Sequence, residues 1–218
     1  MSLSPELAER LEIGLRALGQ SSTPEQRHAL LAFLELLRKW GETYNLTAVR
    51  DASSALDLHL LDSLTVNPYL RGDSVLDVGT GGGLPGIPLA ILNPRRQFVL
   101  LDSSAKKMRF VRQAAITLEL RNVETVANRV EQYRPATGFD IVLARAFASL
   151  VAIRDMTARF LNPDGRILAL KGRFPRAEIE QLGSDDPRVY RLAIPGRLAE
   201  RHLIELNLEK AVGQESTG

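Results

Sequence analysis

The sequence predicts an open α/β fold, a mostly parallel seven-stranded sheet with an antiparallel C-terminal hairpin, preceded by a helical extension. Three observations carry this. From residue 74 onward short apolar runs alternate with longer amphipathic stretches, the strand–helix rhythm of a parallel sheet. A glycine cluster, Asp77 to Gly86, sits where an apolar strand gives way to an apolar helix. The last two apolar stretches, Val189 to Ile194 and His202 to Leu208, are joined only by Pro195 to Arg201, a connector that fits a hairpin rather than a crossover.

Residues 1–70 read as the helical extension, 71–212 as the α/β domain and 213–218 as a disordered tail. Pro5 to Leu18 places Leu7, Leu11, Leu15 and Leu18 on one helical stripe. A second helix follows Thr23-Pro24-Glu25-Gln26, where Thr23 caps, Pro24 suits the first turn and Gln26 completes a capping box. Its face of Leu30, Leu34, Leu37 and Trp40 is a packing face. A third helix begins after Ser53 or Ser54 and runs through Leu56, Leu60 and Leu64. The predicted parallel strands are 74–78, 97–101, 123–127, 139–144 and 166–170, with helices near 87–92, 104–119 and 148–160.

The glycine loop is the first pointer to function. Glycines there let the backbone turn tightly and approach a ligand closely, and the loop delivers that ligand to a helix N-terminus. Nineteen residues after Gly83, the strand Phe98 to Leu101 ends in Asp102, where open α/β folds place an acid against ribose hydroxyls. Gly81 to Gly86 also fits the G-x-G-x-x-G pattern of dinucleotide binding, so a nicotinamide-dependent oxidoreductase stays an alternative. Against it stands Asp77, two residues before Gly79, because a carboxylate there would repel a pyrophosphate. It suits a cationic ligand with a free amino group, which favours S-adenosylmethionine; the competing reading is that Asp77 only caps the turn.

Composition excludes several classes. The chain has 218 residues, 44% hydrophobic and 25% charged, which reads as soluble and globular. No apolar run approaches the ~18 residues of a membrane helix, and the N-terminus has no cationic-then-apolar leader, so a cytoplasmic protein without membrane partners is expected. The absence of cysteine removes disulfides, thiolate metal sites and a cysteine nucleophile. His28, His59 and His202 have no metal-ligand spacing, so no metal is expected. Residues 1–70 carry six basic and nine acidic side chains, whereas 93–134 carry nine and four and 135–176 carry seven and three. Of the 28 cations 23 are arginines, which suit phosphate and guanine as well as solvated helix faces.

Lys39-Trp40, Tyr44-Asn45-Leu46-Thr47, Arg50-Asp51, His59 with Leu61-Asp62-Ser63, the loop from Asp77 to Pro88, Leu100 to Ser103, Arg145-Ala146-Phe147-Ala148-Ser149, Leu170-Lys171-Gly172 and Arg201-His202 follow in an order that resembles the RsmG, or glucose-inhibited division protein B, family. The resemblance spans about residues 30 to 208. It implies a Rossmann-like class I S-adenosylmethionine-dependent methyltransferase acting on guanine N7 of small-subunit ribosomal RNA, with that RNA or the 30S particle as partner. It also implies cofactor contacts from Gly79, Gly81, Leu84, Asp102, Val130, Glu131 and Arg145. Gly82 departs from the pattern, where proline is expected in many members; the glycine removes no group the ligand needs.

Acceptor chemistry points the same way. Methylating a pyrimidine C5 needs a cysteine, and exocyclic amines usually meet an Asn/Asp-Pro-Pro-aromatic loop where this chain has Arg145-Ala-Phe-Ala. Guanine N7 presents an in-plane lone pair, so no catalytic proton-transfer residue is expected and alignment carries the reaction. Arg145 and Lys171 are candidates for guanine O6 or phosphate, and Arg129 and Arg201 for phosphate; the competing reading makes them strand-end cations in ion pairs. Glu131 either frames the adenine through its backbone or pairs with Arg129 or Arg134. The segment Trp40 to Asp51 is a candidate cover for cofactor or RNA, and His59 reads as a packing residue. A noncatalytic RNA-binding module stays the third alternative.

Overall fold

The computed structural model describes residues 4–44, 51–183 and 187–207. Two helices open the chain, α1 (Pro5–Ala17) and α2 (Pro24–Tyr44). The expected capping box is formed: Thr23 N donates to Gln26 Oε1 at 2.9 Å and Gln26 N to Thr23 Oγ1 at 3.2 Å. Residues 45–50, half of the segment expected to cover the site, lie outside the described residues, as do Leu208 and the 213–218 tail.

The third helix, α3, differs from the single α-helix expected. An α turn, Ala52–Ala55, passes into a π turn, Leu56–Leu61, and back into Asp62–Leu64. It starts earlier than Ser53 because the Asp51 carboxylate caps it, accepting from Ser54 N at 2.7 Å. Leu56, Leu60 and Leu64 are all fully buried, as their apolar pattern predicts. The extra residue per turn re-aims the polar residues between them.

The sheet runs β1 (Ser74–Val78), β2 (Gln97–Asp102), β3 (Val123–Ala127), β4 (Phe139–Arg145), β5 (Leu161–Lys171), β6 (Arg188–Leu192) and β7 (Arg201–Asn207), in the order β3-β2-β1-β4-β5-β7-β6. The first five pair in parallel, and β7 pairs antiparallel with both β5 and β6. This is the seven-stranded, mostly parallel sheet with an antiparallel C-terminal hairpin that the sequence predicts. β5 starts at Leu161 rather than Arg166, since Leu161 pairs with Phe139 ahead of a register shift. Helices α4 (Gly86–Leu92), α5 (Ala105–Thr117) and α6 (Leu150–Thr157) fill the expected places, while α7 (Arg176–Glu180) carries too few apolar residues to be read from sequence.

Strand alternation sorts the core onto two faces. Val75, Leu100, Ile141 and Leu143 pack with α1 to α5. Leu76, Val78, Val142 and Ala144 pack with α6 on the other face. Asp77 alternates onto the first face, beneath α4, and is fully buried. The helices of residues 1–70 thus share one core with the sheet. No helix among the described residues is long and apolar enough to cross a membrane.

Candidate active site

The strand order reverses between β1 and β4, and loops leaving the C-terminal ends of neighbouring strands diverge there, which opens a crevice. That crevice is a cleft of about 510 Å³, within the ~300–1,000 Å³ of small-molecule sites. Four loops wall it: Val78-Gly79 after β1, Asp102-Ser103 at the end of β2, Asn128 to Glu131 after β3, and Ala146-Phe147 after β4. The structure therefore brings Gly79, Asp102, Arg129, Val130 and Glu131 together at one site.

Each wall is held by local chemistry. Gly79 has φ +71°, its N–H donates to Leu101 O at 2.8 Å, and the Phe147 ring lies so close that a Cβ on Gly79 would stand 2.5 Å from it. Only glycine tolerates both conditions. Phe147 gets there because Ala146 takes φ +50°, a costly conformation for a residue with a side chain, which folds the chain back over β1. Gly81 does not line the cleft; its N–H donates to Asp102 Oδ2 at 3.0 Å while Ser104 N donates to Oδ1 at 2.8 Å.

Those two bonds fix the Asp102 carboxylate and occupy about half of its acceptor capacity. Two lone-pair positions remain for the hydroxyls of a ribose. Val130, 7% exposed, supplies an apolar wall on a 3₁₀ turn, Val130–Gln132. Two arginines pin that turn from behind: Arg159 Nη2 donates to Val130 O at 2.6 Å and Arg134 Nη1 to Glu131 O at 2.7 Å. Arg159 also lies 4.7 Å from the centroid of the Phe160 ring. The cleft thus combines a hydroxyl acceptor, an apolar slot and a close-approach glycine, which fit a nucleoside bearing a small polar chain.

Asp77 requires a correction. It does not reach the cleft as a partner for a cationic ligand; it closes the turn, accepting from Thr80 Oγ1 at 2.7 Å and from Gly86 N at 2.9 Å through Oδ2. Its other oxygen has no partner among the described residues, and burial pushes the carboxyl up to about 6. The argument against a dinucleotide survives on a different footing. A pyrophosphate needs free amides at the helix N-terminus, and here Gly86 N is held by Asp77, Gly83 N and Leu84 N by Thr80 O, and Ile87 N by Gly83 O.

The remaining candidates sit in ion pairs at the same edge. Arg145 Nη1 is 3.4 Å from Asp62 Oδ2, and Arg201 Nε is 2.8 Å from Asp62 Oδ1. Burial lowers the Arg145 pKa against the opposing pull of Asp62. Lys171 Nζ binds Glu178 Oε2 at 2.7 Å and Ala148 O at 2.8 Å, while the same Glu178 oxygen accepts from Leu150 N. Leu84 and Arg145 do not line the cleft: Leu84 is buried in the core, and Arg145 is directed to Asp62. His59 is held below its ordinary pKa, first by burial and then by Arg145. Among the described residues no group of His, Asp and Glu is placed to hold a metal ion.

Sequence reasoning assigned no role to Phe147, Lys107 or Asn128, which also line the cleft, nor to Asp62, which joins two arginines. Phe147 belongs to the Arg145-to-Ser149 motif, but its place over Gly79 depends on the positive φ of Ala146, which an alanine does not advertise.

Residues 26–187 match the sequence model of the GidB family, described as rRNA small subunit methyltransferase G. A ribosomal RNA small subunit methyltransferase G from Methylococcus capsulatus is 55% identical over 207 residues, 94% of this chain and 100% of that protein. One of the same name from Pasteurella multocida is 46% identical over 205 residues, 93% of this chain and 98% of its own. Among solved structures, the ribosomal protein L11 methylase of Lactobacillus delbrueckii subsp. bulgaricus superposes with a TM-score of 0.55 at 19% identity, covering 69% of this chain and 77% of that one. A SAM dependent methyltransferase from Aquifex aeolicus gives 0.52 at 17% identity, covering 70% and 92%. These structural likenesses show a common Rossmann-like methyltransferase fold, and the sequence relationship goes further: the chain belongs to the GidB family, rRNA small subunit methyltransferase G.

Proposed function

We propose that this protein transfers the methyl group of S-adenosylmethionine to N7 of a guanine in small-subunit ribosomal RNA. The observation that carries the cofactor half is the Asp102 carboxylate, fixed by Gly81 and Ser104 with acceptor capacity facing a cleft whose helix-end amides are already occupied. The acceptor half is supported by the names of relatives 46–55% identical over nearly the whole chain.

When bound, the cofactor supplies an electrophilic methyl on a sulfonium. The chain's own part is placement. Asp102 accepts from the ribose hydroxyls, Val130 and the backbone of Glu131 frame the adenine, and Gly79 lets the backbone come close to the amino-acid end. Phe147, folded over Gly79, walls the cleft on the β4 side and gives the entering base an aromatic surface. Guanine N7 carries no proton to remove, so the site needs no base, consistent with an Asp102 carboxylate whose two oxygens are held by backbone amides. In-line alignment at roughly 3–3.5 Å then lowers the barrier. Arg129 in the cleft wall, and Arg145, Lys171 and Arg201 outside it, serve the RNA, reaching O6 or phosphate and leaving N7 free.

Equilibrium titration of the protein with S-adenosylmethionine and with NAD tests the cofactor. Saturable binding of the first alone is expected; binding of NAD alone would replace this reading with an oxidoreductase. Binding of S-adenosylmethionine without methyl transfer to small ribosomal subunits or their RNA would leave the noncatalytic RNA-binding module.

A further inference from the structure

A second cleft of about 480 Å³ lies away from the first, lined by Arg10 of α1, Asp51, Ser53 and Asp57 around the start of α3, and the Gly196-to-Ala199 connector between β6 and β7. Its chemistry centres on Asp57, whose side chain is 4% exposed. One oxygen, Oδ2, serves two arginines, Arg10 Nη2 at 2.7 Å and Arg197 Nε at 3.4 Å. The other, Oδ1, is buried without a partner among the described residues.

The π turn explains why this cleft is joined to the active site. Asp62 N donates to Asp57 O, so the five-residue step stacks these two acids along one face of the turn. Each holds two arginines: Asp57 holds Arg10 and Arg197, and Asp62 holds Arg145 and Arg201. Arg145 in turn precedes Ala146 and Phe147 of the cofactor cleft. The contacts therefore form one path: cofactor cleft, Arg145, Asp62 with Arg201, and, across the Asp62 N to Asp57 O bond, Asp57 with Arg197 and Arg10.

Along this path the guanidinium groups are only partly used. A guanidinium has five N–H donors. Among the described residues Arg197 commits only Nε, to Asp57, and Arg201 commits Nε to Asp62 and Nη1 to Glu200 O. Arg10 commits Nη1 to Ser53 Oγ and Nη2 to Asp57. The side chains of Arg10 and Arg197 are 45% and 31% exposed. Four arginines face three acids, the buried Asp57 and Asp62 and the exposed Asp51, whose carboxylate caps α3 through Ser54 N and feels the charge of Arg10; one net positive charge remains, with outward donors of the kind that phosphate oxygens take.

We propose that Arg10, Arg197 and Arg201 form a phosphate-binding track that carries the RNA backbone away from the target base, with Asp57 and Asp62 as the posts that aim the guanidinium groups. This rests on the RNA-methyltransferase reading above and adds to it a second contact region, in a cleft that shares no lining residue with the first. The two acids act as positioning residues: they fix the arginine stems and compete with phosphate for the remaining donors.

The test uses the full chain and measures filter binding of small-subunit ribosomal RNA across a salt series, with S-adenosylmethionine affinity measured in parallel. Removing an arginine alone would strand buried Asp57, so the variants are built on Asp57→Asn. Asp57→Asn itself is expected to bind RNA more tightly, since the internal competitor is gone. Adding Arg10→Gln or Arg197→Gln should then weaken RNA binding about fivefold each and flatten the log–log salt dependence by about 0.7–0.9 per contact. S-adenosylmethionine affinity should stay the same throughout. RNA affinity and salt slope unchanged in every variant, with wild type still transferring methyl groups, would overturn the track alone. A wild type that binds S-adenosylmethionine and no RNA would overturn the functional reading together with it.

Discussion

Replacing Gly79 by alanine separates two energies at the centre of the cleft. The first is conformational: a left-handed φ of +71° costs a residue with a Cβ about 1–2 kcal/mol. The second is steric, because the new Cβ would stand 2.5 Å from the Phe147 ring, an overlap worth about 1–3 kcal/mol until the ring moves. Gly19 isolates the first, since it has φ +66° and nothing within 4 Å of a built Cβ. Gly19→Ala should therefore cost about 1–2 kcal/mol, or roughly 2–8 °C in Tm at ~2–4 °C per kcal/mol for a chain of this size. Gly79→Ala should cost about 2–5 kcal/mol. Truncating the ring in Gly79→Ala/Phe147→Ala should recover the steric part only, seen as a coupling of about 1–3 kcal/mol in a double-mutant cycle by urea denaturation. S-adenosylmethionine affinity should fall in Gly79→Ala, because a displaced ring has the cleft to move into. Equal losses at Gly79 and Gly19, with no coupling to Phe147, would refute the packing on which the β1–β4 wall depends.

Three further outcomes follow from named contacts. Asp77 has its folded pKa raised to about 6, above an unfolded value near 3.9, so the native state holds the extra proton between those values. Stability should fall by about 3 kcal/mol as pH rises from ~4 to ~6, and Asp77→Asn should remove that slope in denaturation measured across the window. Arg159→Ala should raise the KM for S-adenosylmethionine several-fold with RNA KM little changed, because Arg159 holds the Val130 carbonyl behind the cleft; parallel loss of both would contradict it. Glu178→Gln should lower stability by about 1–3 kcal/mol, since it weakens the bond from Lys171 and the cap on Leu150 N without touching the cofactor cleft; calorimetry and cofactor titration report the two effects separately.

The parts of the fold that the sequence made legible are those that repeat a simple period. Val75 to Val78 and Phe98 to Leu101 read as buried strands because both faces of a parallel sheet are covered, and Thr23 with Gln26 announced a helix start that the structure forms. The π turn in α3 was not legible, because Leu56, Leu60 and Leu64 fit an α-helix equally well and the inserted geometry shows only in how Asp57 and Asp62 stack. At the site, Gly79 and Asp102 were readable from spacing. The destination of the Asp77 carboxylate was not: alternation placed it on the α4 face, where an internal amide claims it, and a one-dimensional motif does not say which face a strand residue takes. Arg145, Lys171 and Arg201 were recognisable as strand-end cations, while their partners Asp62 and Glu178 come from distant segments that no local pattern connects to them.

The most direct measurement is to expose small ribosomal subunits, taken from cells lacking this protein, to the purified chain and labelled S-adenosylmethionine, and to map the labelled base in the recovered RNA. One guanine carrying the label at N7, lost when Asp102 is replaced by alanine, is the predicted result. Label at a different atom, or no label in RNA despite saturated cofactor, would contradict the assignment of this cleft to guanine N7 transfer.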